Sequence, residues 1–168
     1  MATKQDKGKI VEVGEYFIKR SQEEVSKDSF RGLDALKLQK LLYYAKAWNL
    51  VLNKKNNLFD DEFQAWVYGP VSPTAWQYFK DFDFSTPHRE ITEEKFENIT
   101  EKEKEVLDMV WDVYGKFDGK YLVNLTHTEE PWLKARQGLN QNSISQNIIT
   151  NESMAAYYGQ RLKQEARA

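Results

Sequence analysis

Wound into a helix, the segment KLQKLLYYAKAW (residues 37–48) is apolar on two opposite sides. Leu38, Leu41, Leu42, Ala45, Trp48 and Leu52 gather on one side, and Leu36, Tyr43, Ala47 and Leu50 lie near the other. A helix with two apolar faces needs neighbours on both, so it must run through the middle of the fold built around it. Lys37, Lys40 and Tyr44 fall in one polar seam between those faces, Gln39 and Lys46 in the other. The three lysines are expected to be solvated, with their stems lying along the apolar surface.

The second informative block, AWVYGPVSP (residues 65–73), reads as an aromatic strand that stops and restarts as a helix. Phe63, Ala65 and Val67 alternate with Gln64, Trp66 and Tyr68, which a strand would place on opposite faces. Gly69-Pro70 is expected to end the strand, since Gly admits unusual dihedrals and Pro cannot donate to a ladder. Ser72 followed by Pro73 has the pattern of an N-cap with proline at the first helical position, opening a helix through Trp76 and Phe79.

The remaining periodicity predicts more helices. Ile10, Val13 and Phe17 mark one after a polar tail, and residues 26–32 connect it to Asp34, an N-cap for the central helix. The central helix should stop near Leu52 in an Asn/Lys-rich turn. Residues 82–89 read as a loop, and 91–98 as a short extended piece or loop. Thr100 and Glu103 have capping-box spacing. They precede a helix with one stripe of Val106, Val110, Val113 and Phe117 and a second of Leu107, Trp111 and Tyr114. Short helices are expected over 121–126 and 131–136, a polar surface loop over 137–146, and a last helix through Met154, Tyr158 and Leu162. The pattern is mainly α (α+β): a compact helical single domain spanning residues 1–168, with its core between about 10 and 162, built around a buried helix with a small β element.

With 168 residues, folding can bury about 70% of the unfolded surface, enough for a self-sufficient core. The 5 Trp, 9 Tyr and 9 Phe support that core and argue against disorder. A net charge of −2 offers no basic footprint for nucleic acid. Having no cysteine, the chain can form neither a disulfide framework nor a thiolate zinc site, which fits a reducing cytoplasm. No apolar run approaches the roughly 18 residues of a membrane span. No phosphate loop, serine elbow or two-histidine metal spacing is present, so no cofactor and no catalytic role are expected.

His127, within THTEEPW, is the most suggestive catalytic candidate, as a hydrolase base beside a carboxylate, but a capping or packing role suits a lone histidine better. Asp60, Asp61 and Glu62 form an acidic turn before the strand. Trp66 and Tyr68 offer large side chains of the kind enriched at protein-binding hot spots.

Taken together, KLQKLLYYAKAW, LFDDEFQAWVYGPVSP and LTHTEEPW resemble the SocA-like antitoxin domain, also called Panacea, which is often prophage-associated in bacteria. The motifs run in family order over about residues 10–158. The resemblance implies a mainly helical fold and a non-catalytic antitoxin that binds and neutralises a cognate protein toxin, with the toxin encoded next door. A proteolytic adaptor that delivers its partner to a protease is the alternative it implies, and neither nucleic acid nor membrane is an expected partner. Asp60, Asp61, Trp66, Tyr68, Trp76 and His127 are assigned to partner binding. The acidic turn would dock on a basic surface of the toxin.

Overall fold

Helix α2 (Ala35–Leu52) runs through the centre of the fold and is contacted by most of the other elements. The computed structural model describes residues 7–26, 31–54 and 56–167. Residues 27–30 of the expected connection, 1–6 of the polar tail and Lys55 in the turn after α2 lie outside the described residues. In chain order the other elements are α1 (Lys9–Glu24), β1 (Phe63–Trp66), β2 (Gly69–Val71), α3 (Pro73–Phe79), a 3-10 turn (Glu93–Phe96), α4 (Glu101–Tyr114), α5 (Gly119–His127), α6 (Glu130–Ala135), β3 (Ile148–Ile149) and α7 (Asn151–Arg167). The architecture is mainly α with a small antiparallel sheet of order β2-β1-β3.

Asp34 caps α2, its side chain accepting from the Lys37 amide at 2.7 Å. Both apolar sides of the helix are buried through most of its length, although Leu52 in the last turn is exposed. On one flank α4 contributes Val106, Leu107, Val110, Trp111 and Tyr114 to the core. Val113 is exposed, so only part of its expected stripe packs inward. Helix α7 covers α2 elsewhere with Met154 and Tyr158. Gly14 of α1 lets α3 approach closely: a Cβ there would stand 2.7 Å from the Phe79 ring.

The three seam lysines are not solvated. Lys37, Lys40 and Lys46 are at most 1% exposed, and each ammonium donates to main-chain carbonyls. Lys37 Nζ donates to Gly115 O at 2.7 Å and to Gly32 O at 3.2 Å. Lys40 Nζ donates to Pro70 O (3.0 Å), and Lys46 Nζ to Asp61 O (2.5 Å). Gln39 does the same job with an amide, accepting from Ser72 N at 2.9 Å. The physical reason is geometric. With both broad faces packed, the seams are too narrow to reach water, and loop carbonyls turned toward α2 take the hydrogens instead. The seams therefore tie α2 to the connections around it.

Gly69-Pro70 does not end the β element, as the strand reading expected; it turns the chain into a hairpin. Trp66 faces Gly69, and Ala65 faces Pro70, across a tight turn at Val67 and Tyr68. Gly69 has φ +98°, the positive-φ position that closes such a turn. Proline is tolerated because β2 is an edge strand, and the Pro70 carbonyl is free to meet Lys40. The two residues of β3 complete the other edge, pairing Ile149 with Phe63. They lie just past the polar loop and were not expected, being too short for any periodicity to show.

The remaining caps follow the sequence. Ser72 accepts from the Ala75 amide, with Pro73 opening α3. Residues 93–96 form a 3-10 turn where an extended piece or loop was expected, and Phe96 is buried there. At α4 the capping box is complete: Thr100 Oγ1 accepts from Glu103 N, and Glu103 Oε1 from Thr100 N. Glu103 also receives Lys9 Nζ and Asn56 Nδ2, tying the α4 start to α1 and to the turn after α2. Thr100→Ala is expected to cost about 1 kcal/mol, the usual loss of an N-cap hydroxyl. A urea midpoint shift at unchanged slope would register it.

Candidate partner-binding surface

The β1–β2 hairpin is held in place from three sides. Lys40 takes the Pro70 carbonyl from below, Trp132 Nε1 donates to Trp66 O at 2.8 Å, and Arg136 Nη1 donates to Ala65 O at 2.8 Å. Trp132 and Arg136 both come from the short α6 and its end, which Pro131 starts in the first turn. Fixed in this way, the turn projects Tyr68 outward at 67% exposure.

Beneath Tyr68 lies a groove of about 480 Å³ between the hairpin turn, α5, α6 and the loop that follows. Val67, Tyr68, Val123, Trp132, Leu133 and Leu139 supply its apolar lining, and Lys120, Asn124, Gln141 and Asn142 its polar one. His127 closes one side, stacked on the Trp132 indole with centroids 4.1 Å apart. Its Nε2 is covered and has no hydrogen-bond partner. Burial pushes the imidazole pKa down; the nearby Val67 backbone opposes that, and the positive charges of Lys40 and Arg136 add to it. The neutral ring is therefore the favoured form at neutral pH.

This arrangement leaves His127 without a carboxylate to orient it among the described residues. Glu129, two residues on, points away into a tyrosine cluster: Tyr44 and Tyr158 hydroxyls donate to Glu129 Oε1 at 2.7 and 2.9 Å. Burial holds the Glu129 carboxyl above its usual range, against those two hydrogen bonds. Tyr114 stacks on Tyr44 at 3.9 Å and accepts from Trp48 Nε1, so the cluster joins α2, α4 and α7 around the start of α6. Its role is to fasten helices. Among the described residues no group of three or more His, Asp and Glu side chains is placed to hold a metal ion. No helix among them is long and apolar enough to cross a membrane.

The six residues assigned from the sequence do not form one site. Tyr68 and His127 line the groove together. Trp66 and Trp76 meet edge to face, 6.3 Å between centroids, and neither lines it. Trp66 is turned away because Phe63 and Ala65 fill the core side of β1, and its Nε1 bonds Gln64 Oε1 beside it. Asp60 and Asp61 precede β1, at the far end of that strand from the turn. Asp60 accepts from Asn57, and the Asp61 carbonyl is held by Lys46. Leu133, Leu139 and Lys120, which the sequence reading left out, belong to the groove. Their exposed positions on two short helices and a loop carried no periodic signal that would have singled them out.

The fold is mainly helical, with a pinned hairpin and an apolar groove beside its turn. Residues 38–133 match the family model described as "Antitoxin SocA-like, Panacea domain". The chain therefore belongs to the SocA-like, Panacea-domain antitoxin family. The match runs from the start of α2 into α6, taking in the hairpin and its lysine, while α1, β3 and α7 lie outside it. Searches of curated proteins and of solved structures returned no match.

Proposed function

We propose that this protein neutralises a cognate protein toxin by direct, stoichiometric binding and without catalysis. Family membership supports an antitoxin-like role. The observation that carries the binding reading is the groove under Tyr68, where large apolar side chains stand exposed around one depression. Clustered exposed apolar surface is characteristic of docking sites, whereas isolated exposed residues carry no such meaning. On this reading residues 1–168 act as one Panacea unit in a bacterial cytoplasm, with the toxin encoded by the neighbouring gene.

The test is co-expression with the adjacent open reading frame, followed by purification of both products. Restored growth together with a stable, stoichiometric complex is the expected result. Restored growth with a shortened toxin lifetime and no inhibition in the purified mixture would replace this reading by a proteolytic adaptor. No rescue and no complex would overturn it.

A further inference from the structure

The charge around the groove narrows what can bind there. Lys120 and Arg136 line it, and no Asp or Glu does so among the described residues. Arg136 is only 5% exposed; its guanidinium donates to the carbonyls of Ala65, Asn140, Gln141 and Ser143 and lies over the Trp132 ring, 5.1 Å from its centroid, with no carboxylate among these partners. Carbonyls satisfy its hydrogens without cancelling its charge, so the groove floor keeps a positive potential. Arg136 is also a charged neighbour of His127. On a chain of net charge −2 this is a local reversal of sign.

The apolar part is equally specific. Tyr68, Leu133 and Leu139 are 67%, 47% and 42% exposed around the same depression. Asn124, Gln141 and Asn142 supply side-chain amides at the groove, able to pair with the main chain of an incoming segment.

We propose that the groove receives a toxin segment bearing an apolar side chain next to an Asp or Glu. The apolar group seats among Tyr68, Leu133 and Leu139, and the carboxylate turns toward Lys120 and Arg136. This assignment rests on the antitoxin reading above and names the surface and the chemistry of the partner's contact. A second copy of this chain could not use its own residues 58–62, whose Leu58 and Phe59 are buried at 0% and 4%, and self-association is an outcome of the test below. RNA would answer the positive charge and leave the three apolar side chains without a use.

The test titrates the isotope-labelled full chain with short synthetic peptides centred on Leu-Phe-Glu-Asp. One control replaces the acids by lysine, another the apolar pair by serine. Amide shifts should centre on Tyr68, Lys120, His127 and Leu133, with each control binding at least about fivefold more weakly. Lys120→Glu should reverse the preference toward the lysine peptide. Lys120 and Leu133 are exposed, so circular dichroism should show Lys120→Glu and Leu133→Asp folded.

Equal binding of all peptides, shifts elsewhere, tighter binding of a short RNA, or self-association abolished by Leu133→Asp would each overturn the assignment. The two readings fail separately. If wild type and Leu133→Asp both rescue growth, the groove assignment falls and the antitoxin reading stands. If the acidic–apolar peptide binds in the groove but no neighbouring toxin is neutralised, the antitoxin reading falls alone.

Discussion

Gly69→Ala should destabilise the protein by about 4 kcal/mol, far more than an exposed turn substitution normally does. Two costs add. At φ +98° an L side chain is strained, on the order of 1–3 kcal/mol. The new Cβ would also stand 2.8 Å from Thr126 Oγ1 and 2.9 Å from Lys40 Cε. Neither neighbour can retreat freely, because Thr126 Oγ1 is bonded to Val123 O and Lys40 Nζ to Pro70 O, both in buried surroundings. Overpacking of this kind adds roughly 1–3 kcal/mol. Gly138→Ala is the matching control: its φ is +86°, but a Cβ there meets nothing within 4 Å. Strain alone should cost about 1 kcal/mol at that exposed position. Equal losses at the two glycines in urea unfolding would mean that the close contact of Gly69 with Lys40 and Thr126 contributes nothing.

That contact marks the boundary of what could be read from the sequence. The central helix, its Asp34 cap, the Ser72-Pro73 start and the Thr100–Glu103 box were legible, because each is a local pattern with a local cause. The fates of Lys37, Lys40 and Lys46 were not. A lysine between two apolar faces looks the same in sequence whether the seam opens to water or onto a carbonyl. Only the tertiary position of Gly115, Pro70 and Asp61 decides, and two of these lie 30 or more residues away. The Gly69-Pro70 corner misled for a related reason. Proline forbids a ladder hydrogen bond, but an edge strand asks for none at that residue, and edge position is a property of the assembled sheet.

The candidate site was half legible for the same physical reasons. Tyr68 stood out as an aromatic beside a turn, and His127 as a histidine within a motif. Trp66 and Trp76 stood out equally, yet they meet each other edge to face and do not line the groove. What makes the groove is the convergence of α5, α6 and the loop after it on the hairpin turn. Residues such as Leu133 and Leu139 acquire meaning only through that convergence.

Lys40→Met should make the protein more stable at neutral pH and less stable in alkali. Lys40 is completely buried, and burial brings its pKa down from 10.5 to about 7, with the charge of Asp34 opposing weakly. A depressed folded pKa means that the stabilising contribution is present above pH 10.5 and is lost as pH falls toward 7. Each unit of difference is worth about 1.4 kcal/mol, so the buried ammonium costs on the order of 4–5 kcal/mol at pH 7. Methionine fills a similar volume and removes that cost, but leaves the Pro70 carbonyl without its donor, at about 1–3 kcal/mol. The variant should therefore lead by about 2 kcal/mol at pH 7, match the wild type near about pH 9, and trail by about 2 kcal/mol above it. Below pH 7 the difference should stay flat, since Lys40 is then charged in both the folded and unfolded wild type. Tyrosine ionisation at high pH is common to both proteins and cancels in the comparison. Paired urea titrations across that range measure the difference directly, and parallel pH profiles would show that Lys40 does not carry a buried titration. The lysine's compensation for its cost is positional: it pins the strand that follows Tyr68, so Lys40→Met should also quicken amide exchange in the hairpin turn at neutral pH, despite the gain in global stability.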